Sequence, residues 1–344
     1  MDEQHKQELK EMIKRNINNV LESSMIQGLG EPKHGKIRDI YFKDDKVIMV
    51  TSDKVSAFDH VLDRCIPFKG AILNAISVKM LELAEPILPT ALADVPDPNV
   101  IVQYKMNNLG IEAIVRGYVW GSMAKDYETG KREKCGIQLP EGMLRYQKLD
   151  EPIFTPTTKA EKDEDMTMEQ VSSKIGSVLA EIIRDYSLKL FNMYSNFAKE
   201  KGLLLIDTKY EFGTDDKGSL FLIDEATTPD SSRFCYITEW EDKWPKIQEE
   251  LKTGDYKNVS ELLKAKPELK IEELSKQFVR DVLLDRGYKQ GTEVPKLTEE
   301  NVIETALRYI ELYEIFTGKD FDLETGKNPR ERMINNLKKG NYMG

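Results

Sequence analysis

Apolar positions recur with a helical period across residues 3–22, at Leu9, Met12, Ile13, Ile17 and Val20, and predict a leading helix. The pattern then changes to alternation. Residues 35–41 and 46–51 flank Lys43-Asp44-Asp45 and read as a β-hairpin. Residues 67–84 turn helical after Lys69-Gly70, and Pro86, Pro89, Pro96 and Pro98 punctuate a connector. Residues 101–104 and 112–120 read as strands around the turn residues Asn107-Asn108-Leu109-Gly110. The polar stretch 125–168 lacks periodicity and is expected to be loop.

The strongest helical signal covers 171–201, with Ile175, Val178, Leu179, Ile182, Ile183, Leu190, Phe191 and Tyr194 on its apolar side and Gly202 as C-cap. A second hairpin, 203–212 with 220–225, surrounds Thr214-Asp215-Asp216-Lys217-Gly218. From about residue 243 the chain is charged and mostly helical, best at 273–287 and 298–316. No internal repeat interrupts this order. We read an α/β (α+β) chain of two lobes: a β-rich lobe with its leading helix over 1–110, and a larger α/β lobe with a helical tail over 111–344. A cleft between lobes is a usual seat for a nucleotide.

Composition narrows the function more than the fold. The 344 residues carry a net charge of −10, which argues against broad nucleic-acid or membrane binding. Small anionic substrates remain admissible if a local cationic cleft exists. No run approaches the ~20 apolar residues of a spanning helix, and the first residues lack a signal-peptide core, so a cytoplasmic protein is expected. Cys65, Cys135 and Cys235 fit neither a disulfide framework nor a zinc motif. His5, His34 and His60 form no metal or nucleophile–base spacing. Catalysis is therefore expected to rest on Lys, Arg, Asp and Glu.

Several segments could carry such chemistry. Gly35 with Lys36 and Arg38 opens the first strand; basic residues at i and i+2 share a strand face that suits polyphosphate, or simply faces solvent. Asp207, Lys209 and Glu211 alternate on a strand with an apolar start, and the following hairpin strand ends in Asp224-Glu225. The hairpin brings Glu211 near Asp224. That pair suits Mg²⁺, which takes one or two carboxylates plus phosphate oxygens; a ladder of cross-strand ion pairs fits the spacing equally. Pro229-Asp230-Ser231-Ser232-Arg233 is a turn with small hydroxyls and an arginine, an anion site or a plain turn. Arg116 interrupts an apolar strand that closes at Gly121-Ser122. Together Lys36, Arg38, Arg116, Lys159, Lys209 and Arg233 would line one cationic cleft around Glu211 and Asp224.

The full set of motifs resembles one family, the phosphoribosylaminoimidazole-succinocarboxamide synthases (SAICAR synthetases). The stretches are GKIRDIY (35–41), TSDKVSAFD (51–59), KGAILN (69–74), IVRGYVWGS (114–122), PIFTPTTKAE (152–161), DTKYEFG (207–213), LIDEATTPDSSRF (222–234) and SKQFVRD (275–281). The resemblance implies a two-lobe fold whose antiparallel N-terminal sheet is similar to those of kinases and ATP-grasp enzymes. It implies ligation of L-aspartate to carboxyaminoimidazole ribonucleotide (CAIR), with ATP as co-substrate and Mg²⁺ as cofactor. Carried over by motif, Gly35, Lys36 and Arg38 would meet ATP phosphates, and the segment from Lys105 to Glu112 the adenosine. Glu211 and Asp224 would hold Mg²⁺, with Asp207 nearby and Lys209 facing the reacting groups. Arg116, Ser122, Asp230, Ser232 and Arg233 would bind the ribonucleotide; Lys159, Asp165 and Arg280 lie in matching motifs.

The leading helix and the segment near 237–272 exceed the compact bacterial form and are similar to the longer form known in fungi, as is Asp230-Ser231-Ser232-Arg233. They leave a monomer and a small homo-oligomer both open. A small-molecule kinase and a non-catalytic nucleotide-binding module would draw on the same phosphate-handling groups.

Overall fold

The computed structural model describes residues 2–23, 25–58, 60–159, 163–274, 276–289, 291–322 and 328–343. Of the motif residues above, Asp59, Ala160, Glu161 and Ser275 lie outside the described residues. The chain opens with α1 (Glu3–Arg15), β1 (Lys33–His34), β2 (Arg38–Lys43), β3 (Lys46–Thr51), β4 (Ser56–Ala57), β5 (His60–Val61) and α2 (Lys69–Ala84). It continues through β6 (Leu92–Asp97), β7 (Val100–Tyr104), β8 (Asn107–Tyr118), α3 (Gly121–Glu128), β9 (Glu133–Lys134), β10 (Ile137–Gln138), β11 (Lys148–Phe154) and β12 (Thr157–Thr158). Then come α4 (Met168–Ile175), α5 (Ser177–Glu200), β13 (Leu203–Thr214), β14 (Leu220–Ile223) and β15 (Ser232–Tyr236). The chain closes with α6 (Ile237–Lys252), α7 (Val259–Ala265), α8 (Gln277–Asp285), α9 (Glu299–Thr317) and α10 (Pro329–Lys339).

Two antiparallel sheets organise these elements. The first runs β1-β2-β3-β7-β6; the second runs β11-β8-β13-β14, with β12 on β8 and β15 on β13. Both expected hairpins form, each set by alternation and by turn residues between the strands. Lys105 and Met106 link the sheets, so the expected boundary at 110 falls inside β8. Helix α5 covers the second sheet: its Ile183, Leu190, Phe191 and Tyr194 share a core with Ala113, Val115, Tyr210 and Phe212. That leaves the opposite face of β8 and β13 for polar groups.

The structure corrects several expectations. Helix α1 ends at Arg15, where the Asn16 side chain bonds back to the Met12 carbonyl at 2.9 Å. Strand β2 begins at Arg38, because the Gly35 N–H closes a turn onto the Arg38 carbonyl at 2.9 Å. The proline connector contains β6, and the expected turn at 107–110 is the start of β8. The expected loop 125–168 holds β9 to β12. The long helix breaks at Gly176, whose φ of 87° and ψ of 145° leave helical space. The leading helix does not sit with the N-terminal sheet. It lies on α9 through ion pairs His5–Glu314 and Lys10–Glu304, both 2.8 Å. Conversely α10 packs Met333 and Leu337 against Ile48, Val50 and Val102 of the first sheet. Among the described residues no helix is long and apolar enough to cross a membrane.

Candidate active site

Strand β13 is the spine of the site. A β-bulge sits on it, because Leu205 pairs with Phe234 while Asp207 pairs with the next residue of β15, Arg233. The extra residue switches the alternation. Leu203 and Leu205 join the core under α5, as do Tyr210 and Phe212 beyond the bulge. Asp207, Lys209 and Glu211 are thereby turned to the opposite face together.

At the bulge, Asp207 has Arg116 of β8 opposite it on one side and Arg233 of β15 on the other. Its Oδ2 accepts from Arg116 Nη1 at 3.0 Å and from Arg233 Nη1 at 2.6 Å. Arg116 Nε also donates to Thr155 Oγ1 at 3.0 Å, and Arg233 Nε lies 3.4 Å from Glu273 Oε2. The Trp120 indole bonds to Glu273. Burial raises the pKa of Glu273, while Arg233 pulls it back. Burial, then the charge of Arg233, lowers the pKa of Arg280 on α8, placing a third guanidinium within electrostatic reach. Three guanidiniums against two carboxylates leave positive charge for an anion, and arginine forks suit phosphate.

Further along β13, Glu211 stands opposite Glu112 of β8 and Ile223 of β14. Like charges directly across a sheet repel. Each glutamate has its own lysine: Lys209 Nζ meets Glu112 Oε1 at 2.5 Å, and Lys159 pairs with Glu211. Asn108 Nδ2 also donates to Glu211 at 3.1 Å. Asp224 follows β14 with φ at 60°, a left-handed position, and Gln103 clasps its backbone with two reciprocal bonds of 2.9 Å. Arg38 Nη1 donates to Asp224 Oδ1 at 2.7 Å and Nη2 to Glu225 Oε2 at 2.9 Å.

The charges shift one another accordingly. Burial and the neighbouring Asp224 raise the pKa of Glu211 against the pull of Lys159 and Lys209. Burial works against the Asp224 charge too, yet Arg38, Lys159 and Lys209 hold it below the usual range. Arg38 and Lys209 stay firmly protonated, since Glu225 with Asp224, and Glu112 with Glu211, outweigh their burial. Two hard carboxylates close enough for one to lift the other form a donor set that fits a divalent cation.

The remaining expected residues scatter more. Lys36 is exposed in the turn before β2, so the shared strand face with Arg38 does not exist. Lys105 is exposed in the link between sheets, and Ser122 in the first turn of α3. Ser232 Oγ lies 2.8 Å from Thr208 Oγ1, within the β13–β15 pair. Asp165 pairs with Lys134 at 2.7 Å. Asp230 is joined by Lys69, Lys276 and Tyr309. Sequence reasoning assigned no role to those three, nor to Glu225, Gln103 or Glu273. Lys69 and Lys276 stand inside quoted motifs, which was the available signal; Glu273 and Tyr309 had none. A cavity of about 610 Å³ lined by Val78, Lys79, Pro98 and Thr317 holds none of these groups.

Comparison with known proteins places this arrangement. The family model described as SAICAR synthetase matches residues 31–253. The phosphoribosylaminoimidazole-succinocarboxamide synthase of Cytophaga hutchinsonii is 40% identical over 314 residues, 89% of this chain and 93% of its own length. That of Bacteroides fragilis is 40% identical over 312 residues, 88% and 92% respectively. A solved SAICAR-synthase from Saccharomyces cerevisiae, complexed with SAICAR, aligns at a TM-score of 0.73 and 28% identity, over 88% of this chain and all of that one. With most of both chains matched at such identity, the chain belongs to the SAICAR synthetase family.

Proposed function

We propose that this chain joins L-aspartate to the carboxylate of CAIR, using ATP and giving SAICAR, ADP and phosphate. One observation carries the reading: β13 holds an arginine-rich anion site at Asp207 and a carboxylate pair at Glu211 four residues on. At strand rise this is a separation of ~13 Å. One elongated phosphorylated substrate spans it, its phosphate toward Arg116, Arg233 and Arg280 and its carboxylate toward Lys209. Asp230 and Ser122 would complete the ribonucleotide pocket. Lys36 and Arg38 would meet the ATP phosphates, and the 105–112 segment the adenosine. Glu211 and Asp224 would hold Mg²⁺, which when bound neutralises and aligns phosphate oxygens.

The chemistry asks for charge control rather than a nucleophilic side chain. A carboxylate repels an attacking amine, so its oxygen first takes the γ-phosphoryl group of ATP, releasing ADP. Lys209, protonated and flanked by Glu112 and Glu211, offsets the charge gathered there. The deprotonated aspartate amine then attacks the acyl carbon. The C–O bond breaks, phosphate leaves with its electrons, and the amine proton passes to solvent or a nearby base. ADP release assayed with each substrate omitted in turn tests the reading. Sustained ADP formation is expected only with CAIR and aspartate together, about one equivalent per enzyme at most forming without aspartate, whereas continued turnover without aspartate would identify a kinase.

A further inference from the structure

The Asp230 side chain is 4% exposed, and an isolated carboxylate at that depth would resist ionisation. It is instead held well below the ordinary carboxylate range, because Lys69 and Lys276 outweigh its burial. Three elements supply its partners. Lys69, fully buried at the start of α2, donates to Oδ2 at 2.8 Å. Lys276, just before α8, lies 3.8 Å from the same oxygen and donates to Ser56 Oγ at 3.0 Å. Tyr309 of α9 donates its hydroxyl to Oδ1 at 2.5 Å, and the Lys69 ammonium lies 5.4 Å from the Tyr309 ring centre. Arg38, Arg280 and Glu225 also lie within electrostatic reach of the cluster.

A carboxylate offers about four acceptor directions. Lys69 takes one of Oδ2, beside which the Lys276 ammonium adds only charge at 3.8 Å, and Tyr309 takes one of Oδ1. One direction on Oδ1 is left for a ligand donor. We infer that Tyr309 and Lys69 are positioning residues that fix the Asp230 carboxylate so that a single Oδ1 direction faces the ribonucleotide. Tyr309 lies beyond residues 31–253, the stretch matched by the family model, so helix α9 completes a site whose ligand-facing residues all precede it. The inference rests on the reading of Asp230 as a ribonucleotide ligand.

Tyr309→Phe removes one hydroxyl and keeps the ring that packs in the core. We expect KM for CAIR to rise about tenfold while kcat and KM for ATP stay within about twofold. A merely structural role would lower the melting temperature and harm kcat and KM for ATP along with KM for CAIR. Asp230→Asn, measured alongside, separates the two levels. If it weakens CAIR use while Tyr309→Phe leaves KM for CAIR unchanged, the positioning role is overturned and the ribonucleotide pocket stands. If Asp230→Asn also leaves KM for CAIR unchanged, the placement of Asp230 falls and the inference falls with it.

Discussion

Asp207 is shared by two guanidiniums, and an isosteric change isolates its charge. In Asp207→Asn, Arg116 and Arg233 would face each other in a pocket that excludes most water. Breaking a buried pair costs roughly 3–5 kcal/mol, so urea denaturation should show a loss of that order. Added inorganic phosphate should restore part of it, because an anion bound to the folded state stabilises by mass action. A variant within about 1 kcal/mol of the parent, indifferent to phosphate, would mean that the guanidiniums are already solvated. The Glu211 and Asp224 pair invites the same kind of substitution. With Glu211→Gln or Asp224→Asn we expect kcat to drop at least about a hundredfold, partly regained at high Mg²⁺, with the fold retained by circular dichroism. Near-parental curves of kcat against Mg²⁺ would leave only an ion-pair ladder. The proximity of Glu211 to Asp224 was readable from hairpin spacing, and the register Glu211 opposite Ile223 agrees. The lysine given to each glutamate was not readable, because pairing across strands 50 and 100 residues apart depends on a register that alternation alone does not set.

Among elements, the junction of β8 and α3 leaves little room beside the arginine cluster. Gly121 takes φ at 54°, and a Cβ there would stand 2.8 Å from the Arg233 guanidinium carbon. Gly121→Ala should therefore push the Arg233 fork aside and raise KM for CAIR roughly tenfold, with KM for ATP unchanged. Equal damage to both constants would instead indicate general loosening of α3. Regular elements were legible where periodicity was clean: α2, the body of α5, α9 and both hairpins. β11 escaped because Lys148-Leu149-Asp150-Glu151-Pro152 has neither alternation nor β-branched residues, and its partner on β8 is irregular in register. β6 escaped because four prolines suggested a connector, although an edge strand tolerates the one it contains, Pro96. Tyr309 escaped for the opposite reason. An aromatic at helical spacing reads as core, and its ring is indeed core while its hydroxyl serves Asp230.

At the scale of the molecule, the ends of the chain are exchanged between the halves: α1 lies on α9, and α10 on the first sheet. No local pattern announces such docking. Asp53 makes a comparable long tie, accepting the Leu21 N–H at 2.7 Å and the Gly70 N–H at 2.8 Å. Burial pushes its pKa up to about 6, above the 3.8 of an ordinary aspartate. The folded state thus binds the proton more tightly than the unfolded state. The resulting stabilisation is full below pH ~4 and is lost as pH rises through 6. Guanidinium denaturation at intervals across that window should show a component falling by at most about 3 kcal/mol that Asp53→Asn lacks. Parallel slopes for the two proteins would contradict it. Arg38 ties the halves in another way, reaching from β2 to Asp224 and Glu225 beyond β14. The cleft then behaves like an ion-exchange resin. A solute enters by trading its charges for pairs already made, and a neutral mimic has nothing to trade. Salt weakens the resident pairs along with the incoming ones. Titrations at low and high ionic strength should therefore show nucleotide affinity falling less steeply than the nucleotide's own charge would dictate.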